Sequence, residues 1–186
     1  MTLTGPSEMQ ALLDADIFVY RVGFTTQDVD EAVAFWRMDE LIERCLYALN
    51  TIDYVPYLTS QDKSCFRYQI YPEYKANRKS PKPKHYLALR DYILEKHKGI
   101  LCQGVEADDQ IGIDMMKQEK ACIVTIDKDL DQIPGLHYNF VRDHSYTVSP
   151  IGGIRHFYWQ CLVGDKSVDN IEGCQKLDLS KRKPLS

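Results

Sequence analysis

Glu106, Asp108 and Asp109 set three carboxylates within four residues. Bare anions that close repel one another and are costly to bury, yet they suit a hard cation such as Mg²⁺, which takes a few carboxylates and keeps several waters. Asp127 and Asp129 form a second cluster as the chain leaves an apolar run ending at Ile126; in extended backbone their i, i+2 spacing turns both to one side. Asp131 reads as a turn cap ahead of Pro134-Gly135. Asp165 and Asp169, four apart, would share a helix face. Opposite charge comes from Tyr74-Lys75-Ala76-Asn77-Arg78. Projecting together from a helical turn, Lys75 and Arg78 could grip a phosphate, with Tyr74 free to stack on an unpaired base. Singly, each motif is also a strand-end turn, a helix terminus or a surface turn. Jointly they point to metal-assisted chemistry on a phosphate ester.

Such acids must be carried together by regular elements. Met9–Leu13 is a short apolar run delivering Asp14 at its carboxyl end, as a buried strand would. Asp28 and Glu31 have capping-box spacing, and apolar residues from Ala32 to Leu49 recur with helical period. Tyr54–Thr59 predicts a second strand, with Pro56 suggesting an edge position or an early end, and Asp62 lies just beyond it. The two prolines of residues 79–83 exclude regular helix there. From Lys84 to Lys98 the spacing predicts a basic amphipathic helix stopping at Gly99. Strands are expected at Ile100–Gln103 and Ala121–Ile126, separated by a helix starting near Glu106, and a further helix precedes Gly164. Alternating strands and helices imply an α/β fold with a mostly parallel sheet, whose ligands gather at the carboxyl ends of the strands. Asp14, Asp62, Glu106 and Asp127 would converge there.

The chain of 186 residues, 44% hydrophobic, has room for one core. A net charge of −4 speaks at first against a nucleic-acid partner. Between Lys75 and Lys98, however, eight Lys or Arg face two acids, so that +6 sits in this stretch and −10 in the rest. The six cysteines lack C-x-x-C spacing and read as reduced, and the five histidines lack zinc-ligand spacing. With no leader-like opening and no run of about 18 apolar residues, no membrane partner and a cytoplasmic location are expected.

The ordered motifs Leu13-Asp14-Ala15-Asp16, Gln61-Asp62-Lys63-Ser64-Cys65-Phe66-Arg67, Pro72-Glu73-Tyr74-Lys75-Ala76-Asn77-Arg78, Gly104-Val105-Glu106-Ala107-Asp108-Asp109, Thr125-Ile126-Asp127-Lys128-Asp129 and Gly164-Asp165 together resemble the 5′-nuclease superfamily. This family comprises flap endonucleases and 5′→3′ exonucleases, including the 5′-nuclease domain of bacterial DNA polymerase I, and the bacteriophage exonucleases look closest. The resemblance implies a PIN-like α/β catalytic domain over residues 1–173. It implies two Mg²⁺ or Mn²⁺ ions held by Asp14, Asp62, Glu106, Asp108, Asp109, Asp127, Asp129, Asp165 and Asp169. It further implies Lys75 and Arg78 at the scissile phosphate, DNA contacts from Tyr74, Arg67, Lys79, Lys82 and Lys84, and an arch over residues 79–98. The partner would be DNA with a 5′ end, a flap or an RNA–DNA primer junction, in the host cytoplasm if the chain is phage-encoded. Two metals about 4 Å apart can make a water nucleophilic, neutralise the phosphoryl oxygens and stabilise the leaving oxygen.

After Gly173 the family pattern stops: no glycine-rich hairpin follows, and residues 174–186 read as a polar tail where a helix-hairpin-helix is expected. Weak or altered nuclease activity is therefore anticipated. Asp165 and Asp169 stand one residue further apart than the family's usual pair, so one of them is expected to miss the metal. Two other readings compete. One is a DNA-binding remnant without turnover. The other is a haloacid-dehalogenase-like phosphatase with Asp14 as nucleophile, which leaves Glu106, Asp108, Asp109, Asp127, Asp129, Lys75 and Arg78 without a role.

Overall fold

The computed structural model describes residues 6–174. Of the expected polar tail, 174–186, all but Cys174 lies outside them. Eight strands and six helices follow one another as β1 (Gln10–Asp14), α1 (Ala15–Thr25), α2 (Glu31–Leu49), β2 (Asp53–Thr59), α3 (Phe66–Ile70), α4 (Tyr86–Lys96), β3 (Ile100–Cys102), α5 (Ala107–Met115), β4 (Ala121–Val124), β5 (Gly135–Asn139), β6 (His144–Val148), α6 (Pro150–Val163), β7 (Gly164–Asp165) and β8 (Ile171–Glu172). A 3-10 turn, Lys128–Gln132, links β4 to β5. Six strands form one sheet in the order β3-β2-β1-β4-β5-β6, parallel except at the β5–β6 pair. The expected mostly parallel α/β architecture is thus present.

Strand alternation explains how helices come to lie on both faces. Ala11 and Leu13 of β1, with Cys122 and Val124 of β4, point into a core shared with Phe18, Met38, Ile42, Leu89 and Ile93 of α1, α2 and α4. Leu12 and Ile123, between them in sequence, point the other way to meet Tyr57, Ile111 and Leu130. Successive residues of β1 therefore read as one apolar run because both faces are covered.

Three expectations are corrected. Pro56 does not mark an edge: β2 lies between β1 and β3, but β3 begins opposite Tyr57, so at Pro56 the strand is paired only with β1 through Leu13. No capping box joins Asp28 to Glu31; Asp30 is the N-cap, without a side-chain bond. The stretch 79–98 is not one projecting arch, because its second half is α4, whose Leu89 and Ile93 are fully buried. Before α4, residues 79–82 and Lys84 are exposed, while Pro83 and His85 are buried. Six elements had no expectation: α1 follows β1 with no intervening turn, Asp14 being both the last strand residue and the helix N-cap; β5 and β6 carry too few apolar residues to stand out; and α3, β7 and β8 are only two to five residues long. Among the described residues no helix is long and apolar enough to cross a membrane.

Candidate active site

β1 sends its chain to β2 on one side and has β4 as its other neighbour, so the sheet's order reverses at β1 and a crevice opens between the carboxyl ends of β1 and β4. Asp14, 2% exposed, closes β1 there. Thr125, just past β4, donates its hydroxyl to Asp14 Oδ2 at 2.7 Å, and its Oγ1 accepts from the Asp127 N–H at 2.9 Å. One threonine thereby fixes two acids from separate strands. Asp127 caps the 3-10 turn, its Oδ1 accepting from the Asp129 N–H at 2.9 Å.

α5 begins at the same crevice. Its N-cap is Glu106, whose backbone N–H donates to Asp109 Oδ2 at 3.0 Å, while the Ala107 N–H donates to Thr59 Oγ1 at the end of β2 at 2.9 Å. The first turn presents Asp108 toward Asp14 and Asp127. Burial and then the charges of Asp14, Asp127, Glu106 and Asp16 raise the Asp108 carboxyl well above its ordinary value. Burial likewise lifts Asp14 to about 7, with Asp16 and Asp127 adding repulsion and the Thr125 hydrogen bond opposing it.

A second group lies alongside. Ligand atoms of Asp129, Asp165 and Asp169 all fall within 4.8 Å of one another. Burial, followed by the charges of Asp127, Asp165 and Asp169, lifts Asp129 to about 6. Asp165 and Asp169 are joined by the Asp169 N–H donating to the Asp165 carbonyl at 3.1 Å, one isolated helical turn, so the longer spacing does not separate them. Both carboxylates therefore lie within reach of Asp129. Gln160 of α6 donates to Asp129 Oδ1 at 2.6 Å, and Asp127, whose charge acts on both Asp14 and Asp129, stands between the two groups.

The basic motif bridges both groups. Residues 72–77 form consecutive turns rather than the expected helical turn, with Lys75 in the left-handed region at φ 57°. Lys75 Nζ donates to Glu106 Oε1 at 2.5 Å and lies 3.9 Å from Asp169 Oδ1; Arg78 donates to Asp169 Oδ1 at 2.7 Å. The Lys75 N–H also donates to the Asp169 carbonyl, and the Asn77 amide to the carbonyls of Lys166 and Ser167, so segments about 90 residues apart are laced together.

Several expected roles change. Tyr74 is 4% exposed, and its hydroxyl lies 2.7 Å from Glu106 Oε2 and 3.2 Å from Asp169 Oδ2; a ring so enclosed is a strut between acids, not a platform for a base. Arg67 does not face outward toward DNA: it holds Asp109 through two bonds of 2.5 and 2.7 Å. That pairing keeps the Asp109 carboxyl below its ordinary value despite burial, and it removes Asp109 from the acids left without a cation. Asp62 is set apart and exposed, its carboxyl held low by hydrogen bonds from Ser64 and Ser60. Lys82 donates to Gln61 Oε1 and Lys84 to the Val29 carbonyl, while Lys79 is simply exposed. The sequence reading missed Thr125, Gln160, Asp16 and Arg90 as partners of the acids. Only Asp16 carried a signal, the Asp14-Ala15-Asp16 spacing. Arg90 holds Asp16 at 2.6 Å.

An all-oxygen donor set whose members raise one another's pKa fits a hard divalent ion, since such an ion stabilises the charged form that burial and repulsion oppose.

Known proteins share this arrangement of elements. A family model described as the 5′-3′ exonuclease N-terminal resolvase-like domain matches residues 9–150. A 5′-3′ exonuclease of Buchnera aphidicola subsp. Schizaphis graminum is 27% identical over 190 residues, covering 90% of this chain and 66% of its own. Flap endonuclease Xni of Shewanella baltica is 35% identical over 83 residues, 41% of this chain and 32% of its own. The chain thus spans just under two thirds of the first relative's length and about a third of the second's. Among solved structures, the bacteriophage T5 protein co-crystallised with metal ions superposes with a TM-score of 0.69 at 16% identity, covering 92% of this chain and 72% of its own. The catalytic core of Rad2 in complex with DNA gives 0.53 at 15% identity, covering 91% and 57%. These two show the shared fold. The family model spans most of the chain, from β1 to the start of α6, and on that match the chain belongs to the 5′-3′ exonuclease family through its N-terminal resolvase-like domain.

Proposed function

We infer that the chain is the catalytic domain of a divalent-metal-dependent 5′ nuclease that hydrolyses DNA phosphodiester bonds near 5′ ends or flaps. The observation that carries this reading is the convergence of Asp14, Glu106, Asp108, Asp127, Asp129, Asp165 and Asp169 on one crevice, with Lys75 and Arg78 laid across it. Asp14, Asp108 and Asp127 would hold one Mg²⁺ or Mn²⁺, and Asp129, Asp165 and Asp169 a second. When bound, such ions supply Lewis acidity toward the phosphate and a water made nucleophilic near neutral pH.

The chain's own residues do the rest. Lys75 and Arg78 now neutralise Glu106 and Asp169; the same two cations are placed to pair with a phosphate whose charge grows in the transition state. Tyr74 and Thr125 hold their acids in fixed orientation, so little reorganisation remains when substrate arrives. Lys79, Lys82 and Lys84 are exposed on the chain between Arg78 and α4, where a DNA backbone would run. The unassigned Asp62 contributes through solvent, if at all, from its exposed position.

A panel of labelled flap, nicked and blunt duplexes, incubated with Mg²⁺ or with chelator, tests the reading. It predicts release of mono- or short oligonucleotides from 5′ ends in Mg²⁺ only. Binding of a 5′ overhang in Ca²⁺ with no products in Mg²⁺ would instead favour the DNA-binding remnant.

A further inference from the structure

Arg90 is 3% exposed, yet it carries a full positive charge on the core-facing side of α4. Its Nη1 donates to Asp16 Oδ1 at 2.6 Å and its Nη2 to the Thr59 carbonyl at 2.5 Å. The other oxygen of Asp16 accepts from the Thr59 N–H at 2.9 Å, and Thr59 Oγ1 accepts from the first N–H of α5. One ion pair therefore joins four elements: the start of α1, the end of β2, α5 and α4. Asp16 also lies close enough to Asp14 and Asp108 for its charge to act on both.

A buried arginine is costly unless paired, and an acid added to a cluster already short of cations is costly too. Here each offsets the other. We propose that Arg90 acts on the metal site through Asp16, as a positioning residue: it cancels the charge of Asp16 and keeps that carboxylate from acting as a further ligand. This deepens the nuclease reading and rests on it. It gives residues of α4 a role in the site that no DNA contact requires.

The charge account makes a signed prediction that a purely structural role does not. Removing Arg90 leaves Asp16 as an extra anion beside the ion's place; removing the charge of Asp16 leaves an uncancelled cation there. Mg²⁺ and Mn²⁺ affinity, measured by calorimetry on the protein with the ion alone, should tighten about tenfold in Arg90→Met and weaken about tenfold in Asp16→Asn. The double variant should return close to wild type. Melting temperature in chelator should fall in Arg90→Met. A loss of affinity in both single variants overturns the proposal, because damage to packing alone moves both the same way. Should Arg90→Met not fold, Arg90→Lys and Asp16→Asn decide: the first keeps the charge and should bind within about twofold of wild type, and unchanged affinity in the second refutes the pair. If wild type itself binds no divalent ion, the nuclease reading fails instead.

Discussion

Asp14, Asp108 and Asp129 are ionised at a cost, and that cost is set by where they sit. Asp14 is buried, Asp108 and Asp129 are half-buried, each faces other acids, and Asp14 and Asp129 are lifted to about 7 and about 6. A carboxyl whose folded pKa exceeds its unfolded value keeps its proton in the fold over a window where the unfolded chain has released it. Stability therefore falls as pH rises through about 4 to 7. In chelator the melting temperature should drop across that window. With Mg²⁺ the drop should shrink, and the gain from the ion should grow with pH, since ligation needs the charged form. Scanning calorimetry at pH 5 and pH 8, with and without Mg²⁺, checks this; an ion effect equal at both would contradict it. By the same logic Asp108→Asn should melt above wild type in chelator at pH 8 while gaining less from Mg²⁺ than wild type does. The acids were legible in the sequence because their density alone is unusual. The pairing of Arg67 with Asp109, 42 residues away, was not, and neither was the enclosure of Tyr74, since partner choice depends on folded geometry.

Two elements decide whether these acids stay in place. α6 lies against the 3-10 turn that carries Asp129, and a Cβ on Gly153 would stand 2.5 Å from the Gln132 carbonyl. Gly153→Ala should therefore push α6 off that turn, costing about 1–3 kcal/mol, and loosen the Gln160–Asp129 bond. Urea unfolding gives the first and Mn²⁺ affinity the second. α4 is the other. Leu89 is fully buried against α1, so Leu89→Ala should destabilise by about 2–5 kcal/mol, as a core residue does and an arch residue does not. A change within 0.5 kcal/mol, as is usual for surface substitutions, would return α4 to the arch. Long periodic elements such as α2 were readable from their apolar spacing. α4 was read as a helix but misplaced, because a basic amphipathic pattern does not say which partner its apolar side meets. α1 was hidden by the absence of any turn before it.

At the scale of the whole molecule, the sheet order brings the ends of β1 and β4 side by side, and a net-acidic chain sets several of its anions there beside the basic residues Lys75 and Arg78. On the proposed nuclease reading, that asymmetry, readable in the sequence, is what would let a protein of charge −4 address a polyanion. DNA affinity should fall steeply with salt, and Lys82→Ala or Lys84→Ala should flatten that slope by about one counterion each without changing sequence preference. Lys75→Ala should slow single-turnover cleavage by about 10²–10³-fold, the scale of losing one transition-state donor, with Mg²⁺ affinity nearly intact. The ordering of β5 and β6 beyond β4 could not be read, because sheet order follows from long-range pairing. The central claim is that this crevice hydrolyses phosphodiesters with metal. The charge of Asp127 acts on both groups of acids, so the most direct test compares wild type with Asp127→Ala on a labelled 5′ flap in Mg²⁺. Short 5′ products from wild type alone, lost on chelation, are the predicted result; equal product from both proteins would contradict the account.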